Sequence, residues 1–256
     1  ANSEGIIHGP TSVLMQGVSE IYRAEVGQPI GYFYGMQTAG VFQNQSQIDQ
    51  WLATYTDEIH GTPQPGDVIY VDTNGDNIVN LDDRTKIGDP HPDVTLGFNV
   101  HAEYKGFDFS VTGNGSFGQQ VVRNSNNGPS SVDNMSKRIV YGSWKGEGTS
   151  NFLPRLTSIG DINYNTFSSI WVEDADYVRI QNVTLGYDFK KIWKNCPLQQ
   201  LRLYVAAENL FTFTGYTGMD PEVGASGDDN YTWGMGIDQG FYPVPRTYMI
   251  GVNIKF

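Results

Sequence analysis

No stretch of the 256 residues approaches the roughly 18 consecutive apolar side chains that a transmembrane helix requires. Helical membrane spans are thereby excluded, whereas a β-barrel is not, because its strands alternate lipid-facing and lumen-facing residues and leave no hydropathy peak. Cysteine occurs once, at Cys196, so the chain has no intrachain disulfide. Charged residues make up only 17%, and 28 acids outnumber 16 Lys and Arg, for a net charge of −12. Without a basic patch to neutralise phosphates, a nucleic-acid partner is excluded. The acidity itself reports mainly solvated loops. Helix-period patterning is also scarce, amounting to a turn or two around residues 46–54. The opening Ala-Asn-Ser-Glu has neither initiator Met nor signal peptide, and reads as an interior cut in a longer protein.

What is plentiful is aromatic and glycine content: 13% aromatics, 15 tyrosines and 30 glycines. Such a profile suits an all-β protein with many turns. Period-two alternation is clearest from Val94 to Tyr104, where Val94, Leu96, Phe98, Val100, Ala102 and Tyr104 interleave with Thr95, Gly97, Asn99, His101 and Glu103. After a short turn at Lys105-Gly106 the pattern resumes through Phe107, Phe109 and Val111. It recurs over residues 177–189, 201–213 and 247–256, each segment with one apolar and one polar face. Arg179 and Ile180 fall out of phase, which predicts either a β-bulge or a strand emerging from the bilayer there. A glycine-rich sixth strand is expected from Pro29 to about Gly40.

The connections fall into two classes. Those at Lys105-Gly106 and 191–199 are short; those at about 41–91, 119–176 and 214–244 are long and polar. Long loops alternating with short turns are characteristic of outer-membrane barrels, with the long loops extracellular. Aromatics gather near the short turns (Tyr104, Phe107, Tyr187, Phe189, Phe256) and near the opposite strand ends (Phe211, Phe213, Tyr248), as two interfacial girdles would require. The expected fold is therefore a transmembrane antiparallel β-barrel, to which residues 1–256 contribute about six strands. A soluble β-sandwich shares the alternation, because one sheet face packs on a core, but needs no such loop rhythm.

The residues themselves support a family resemblance. Val26-Gly27-Gln28-Pro29-Ile30-Gly31, Phe33-Tyr34-Gly35 and Gly40-Val41-Phe42-Gln43 open a series that continues through Gly66-Asp67-Val68, Asp72-Thr73-Asn74-Gly75-Asp76, Asp83-Arg84 and Ile87-Gly88-Asp89-Pro90. Residues 176–187, Glu208-Asn209-Leu210-Phe211, Gly218-Met219-Asp220-Pro221-Glu222 and Pro245-Arg246-Thr247-Tyr248 complete it. In this order the segments resemble the SusC/RagA family of TonB-linked outer-membrane proteins. The resemblance implies the C-terminal segment of a large plugged barrel of the 22-strand class, located in the Gram-negative outer membrane, with the plug, the TonB box and the remaining strands outside this chain. It implies import of a large nutrient, a glycan oligosaccharide first and a peptide second. The implied partners are a SusD-like surface lipoprotein, TonB, the remainder of the same barrel and outer-membrane lipid. Phe256, preceded on one face by Ile254, Val252, Ile250 and Tyr248, resembles the C-terminal signal read by the outer-membrane assembly machinery. A secreted calcium-binding sandwich that binds carbohydrate and a passive porin are the alternatives.

Chemistry-bearing motifs are few. Residues 72–83 place oxygen ligands at loop positions 1, 3, 5, 9 and 12 through Asp72, Asn74, Asp76, Asn80 and Asp83, with the Ile78 carbonyl at 7. That is an EF-hand-type calcium spacing, since a hard cation needs several oxygens wrapped around one point. Position 6 is Asn77 in place of glycine and position 12 an Asp in place of Glu, and the same residues also suit an ion-free Asx-turn loop. A structural Ca2+ is expected, and no organic cofactor. The four histidines show no HExxH spacing and no acid pair is selected for glycoside hydrolysis, so the chain is not read as an enzyme. Loop aromatics Trp144, Trp171, Tyr231, Trp233 and Tyr242 are candidates for stacking on a sugar ring or a peptide side chain.

Overall fold

Alternation of apolar and polar side chains is realised in five long strands, which we label β1 (Val94–Tyr104), β2 (Phe107–Phe117), β3 (Tyr177–Asp188), β4 (Gln200–Thr214) and β5 (Thr247–Lys255). In the computed structural model, which describes residues 7–8, 21–123, 135–157, 161–193, 195–223, 235–238, 240 and 242–256, they form one antiparallel meander in the order β5-β4-β3-β2-β1. The β1–β2 turn is made by Lys105 and Gly106 alone, at φ 49° and 93°. Left-handed backbone at both central positions matches the twist of the strands it joins.

Register keeps the two faces separate across the whole sheet. Val100, Val111, Val183 and Ala207 lie in one cross-strand row, and Ala102, Phe109, Leu185, Val205 and Ile250 in the next. The expected bulge is present at Gln181: Asn182 faces Thr112 and Ile180 faces Gly113, so Gln181 has no partner on β2. On β4 the same irregularity leaves Asn209 and Leu210 between the partners of Ile180 and Asn182, with Asn209 at φ 52°. The extra residue returns Ile180 to the apolar row beside Phe211 and sends Arg179 to the polar face. A one-residue slip would otherwise reverse every side chain beyond it.

The sheet is inverted relative to a soluble one. In β2 the apolar Phe107 and Phe109 are more exposed than their polar neighbours Asp108 and Ser110. Ile250 is 80% exposed and Phe213 62%. A sandwich would seal these side chains in a core; here they stay exposed among the described residues, as expected of a lipid-facing surface. Aromatics border the face at both ends, with the Phe107 and Tyr187 rings 4.5 Å apart near the short turn and Phe211 and Phe213 6.2 Å apart toward the other end.

The five strands belong to one compact unit (Pro92–Gln119, Asp174–Glu222, Phe241–Phe256), and the rest of the chain to another (Ala1–His91, Gln120–Glu173, Val223–Gly240). The second collects most of the three long connections and has its own core, including Phe33, Met36, Val68, Tyr70, Ile139, Tyr164, Ile170 and Trp171. The expected sixth strand, 29–40, is corrected. It splits into Tyr32–Gly35, in a four-stranded sheet, and Thr38–Val41, paired with Val68–Tyr70. All four residues of Tyr32–Gly35 are buried, so neither face is available to lipid. At Gly35 a side chain is impossible, because a Cβ would stand 2.7 Å from the Phe167 carbonyl oxygen. One short helix, Gln45–Leu52, starts where the Asn44 side chain accepts the Gln47 amide and buries Ile48.

Candidate functional site

Residues 72–83 fold by the local logic of short polar side chains. Asp72 Oδ1 accepts the Gly75 amide at 2.6 Å and its Oδ2 accepts the Asn77 amide at 2.9 Å. Asn74 Oδ1 accepts the Asp76 amide, and Asp76 Oδ1 the Ile78 amide. Asn77 sits at φ 65°, the left-handed conformation that loop position 6 demands and that asparagine tolerates. Asp83, fully buried, closes the loop by accepting the amides of Thr73, Asn74 and Asn80. Asn80 caps the single turn Leu81–Asp83 and donates to Glu58 Oε2. Partial desolvation pushes the Asp72 carboxyl up, but the amides of Gly75, Asn77 and Asp76 outweigh it and hold it below the usual carboxylate value. Hard oxygens and the left-handed turn fit a divalent cation in chemistry. Among the described residues, however, no three His, Cys, Asp or Glu side chains converge as a metal cluster, and each carboxylate already accepts backbone amides.

The aromatic candidates separate. Trp171 is fully buried, with its ring 5.9 Å from that of Tyr164. It is a core residue with no face left for a ligand, which corrects the stacking role expected of it. Trp144 is half-buried; its indole donates to Gln43 Oε1, and its ring lies where Gly66 would otherwise carry a Cβ, 2.5 Å away. Tyr242 is 89% exposed. Tyr231 and Trp233 lie outside the described residues. In the C-terminal strand, Tyr248, Ile250, Val252 and Ile254 all point to the exposed apolar face, and Phe256 beyond it is 84% exposed.

Two arginines on the polar face form ion pairs that were not anticipated. Arg179, 4% exposed, donates to Thr212 Oγ1, to Glu222 Oε2 at 2.8 Å and to Asp220. The bulge at Gln181 aims it there, and the Asp220-Pro221-Glu222 segment is thereby tied to β3 and β4. Arg179, Thr212, Asp220 and Pro221, together with Asn209 and Arg246, line a pocket of about 220 Å3. Nearer the short turns, Arg202 on β4 reaches across β3 to both carboxylate oxygens of Asp108 on β2. The crossing depends on Gly186, where a Cβ would stand 2.4 Å from Asp108 Oδ2 and 2.5 Å from Arg202 Nε. The pair sits in a concavity of about 740 Å3 that His101, Glu103, Asp188 and Lys191 also line. A lone Arg in a strand carries no sequence signal for a partner 41 residues away; the only hint was the phase break at Arg179 and Ile180.

No family model matches the chain. It is similar to TonB-dependent receptor P3 of Formosa agariphila, 34% identical over 233 residues, covering 90% of this chain and 22% of that protein. Similarity extends to the TonB-dependent receptor SusC of Bacteroides thetaiotaomicron, 28% identical over 196 residues, which cover 75% of this chain and 18% of that one. Among solved structures it resembles the RagAB peptide importer in its open-open state, with TM-score 0.67 and 19% identity over all of this chain and 24% of the other. A second RagAB peptide transporter structure gives TM-score 0.68 at 20% identity. The chain thus spans about a fifth of the length of the curated relatives it matches. Exposed apolar rows bounded by aromatics, a strand meander with one polar face, and these relatives agree on one assignment: the chain is a β-barrel segment similar to the outer-membrane TonB-dependent receptors, SusC among them.

Proposed function

We propose that the protein imports a large nutrient across the outer membrane in a TonB-dependent manner, acting with a SusD-like surface lipoprotein. The observation that carries this reading is the five-stranded sheet whose apolar rows are exposed and whose polar face bears the Asp108–Arg202 and Arg179–Asp220 pairs. Such a sheet suits a barrel wall between lipid and a polar lumen, and its relatives are TonB-dependent receptors. An open sheet edge in hydrocarbon leaves backbone groups unsatisfied, so β1 and β5 would pair with the remainder of the same barrel. The long connections 41–91, 119–176 and 214–244 would lie on the extracellular side, where a lipoprotein lid and the ligand meet. A glycan oligosaccharide is the first candidate ligand and a peptide the second, the latter supported by the name of the structural neighbours. The role is transport and not catalysis. The test is uptake of fluorescent oligosaccharides and peptides by cells carrying or lacking the gene, with and without a functional TonB. Uptake that survives loss of TonB, or that is unchanged on deletion, refutes the proposal.

The same reading extends to a structural calcium ion in the 72–83 loop, held by Asp72, Asn74, Asp76, Asp83 and the Ile78 carbonyl, with Asn80 at position 9. Bound there, the cation would draw the loop's carboxylates onto one point and staple the loop. Support comes from the donor chemistry and from Asn77 in the left-handed turn. Isothermal titration of the full-length protein with Ca2+ should show one site lost in Asp72→Asn and Asp83→Asn. Equal heats in wild type and both variants would leave the loop closed by its amides alone.

A further inference from the structure

Residues 57–70 and the described residues 155–157 and 161–163, far apart in the chain, meet around one buried imidazole. His60 and Asp57 side chains are each 2% exposed. His60 Nδ1 lies 2.8 Å from Asp57 Oδ2, and Nε2 lies 3.2 Å from Asn163 Oδ1. The orientation of the Asn163 amide is not free. Its Oδ1 accepts the Val68 backbone amide at 2.8 Å, and its Nδ2 donates to Asp67 Oδ1 at 2.9 Å and Asp161 Oδ1 at 2.7 Å. A flip would set the side-chain NH2 against a backbone N–H and the oxygen against two carboxylates. Asp57 is fixed as an acceptor as well, since its Oδ1 takes the amides of Ile59 and His60.

Both ring nitrogens of His60 therefore face acceptors that have no proton of their own to give. A neutral imidazole carries one N–H and one lone pair. Either tautomer would turn that lone pair toward an oxygen lone pair in a site closed to water. We propose that His60 is a buried imidazolium that pins the 57–70 segment to residues 155–157 and 161–163, so that this loop unit loosens when rising pH removes its proton.

The charges around it agree. Asp57 faces it directly; Asp67 and Asp161 reach it through Asn163; Arg155 pairs with Asp67 at 2.7 Å; and the Tyr70 ring stacks on it at 5.3 Å. Three carboxylates against one guanidinium leave room for a second positive charge. Burial pulls the His60 pKa down, but the Asp57 hydrogen bond and charge, the Asp67 charge and the Asn163 oxygen outweigh it, and the value lies above the ordinary 6.5. For a group whose pKa is raised on folding, the stabilisation is complete below the unfolded value and is lost as pH rises through the folded one. Asp57 answers in the opposite sense. Burial pushes its pKa up, yet the His60 bond and charge hold it below the usual value, so its share is lost only in acid.

The test uses the full-length protein in detergent or vesicles. Deuterium exchange at the histidine C2 carbon, read by mass spectrometry on the peptide containing His60 across a pH series, gives the protonation midpoint of that ring. Backbone amide exchange of peptides spanning 57–70 and 161–166, corrected for the intrinsic pH dependence, gives the loosening. The expected result is a midpoint above 6.5, with amide protection falling across it. His60→Gln should show low protection at every pH, with the step abolished. A midpoint at or below 6.5, or protection that stays level through the midpoint in the wild type, overturns the proposal; both readings stand without the variant if it fails to fold.

Discussion

A charge placed on the apolar face gives the sharpest quantitative test of how the sheet is used. Val111 lies near the middle of β2, with Val100 on one side and Val183 on the other in the same apolar row. Its neighbour Thr112 points to the opposite face, beside Asn99, to which it is hydrogen-bonded. Arg at a lipid-facing position near the bilayer midplane costs about 2–4 kcal/mol. At 1.4 kcal/mol per tenfold, Val111→Arg should lower the folded-to-unfolded ratio by roughly 30- to 700-fold. Thr112→Ser, on the polar face, should stay within about 0.5 kcal/mol of wild type. Folded yield in outer-membrane fractions, read as the heat-modifiable band on a gel, ranks the variants. Nitroxide labels at cysteines placed at 111 and 112 of the full-length protein then report the faces directly. Oxygen, which partitions into lipid, should relax the label at 111 more strongly, and a water-soluble nickel chelate the label at 112. If the chelate reaches 111 and oxygen favours 112, the apolar rows do not face lipid and the barrel-wall reasoning fails.

Two further outcomes follow from single side chains. Deleting Phe256, or replacing it with Asp, removes the aromatic end of the exposed row Tyr248–Ile254 and should reduce outer-membrane assembly severalfold; equal folded yields would argue against an assembly role. Arg179→Met should cost about 3 kcal/mol or somewhat less, because it strands the mostly buried Asp220 carboxylate while Glu222 is half exposed to water. A drop in thermal midpoint, with Asp220→Asn in the same background restoring part of it, checks the pairing, and additive losses in the double variant would refute it.

For the five long strands, existence, face and phase were legible in the residues because they are local properties. Period two over Val94–Tyr104 needs no partner to be recognised, and register follows once one face must stay apolar. The bulge at Gln181 announced itself for the same reason, as a break in phase, and the Asn77 turn as a residue type suited to left-handed backbone. What lay beyond reach is non-local. Tyr32–Gly35 has the composition of a strand, but whether it joins the long sheet or a small buried one depends on Phe167, more than 130 residues away, whose carbonyl stands where a Gly35 side chain would be. Trp171 looked like a loop aromatic until Tyr164 and the surrounding core covered it. Arg179 with Asp220, Arg202 with Asp108 and His60 with Asn163 are contacts that carry no signature in either partner's own neighbourhood. A side chain's type fixes which chemistry it is capable of. Only the packed chain decides which partner stands within hydrogen-bond distance and whether water is excluded, and those two conditions set the strength of every ion pair named above.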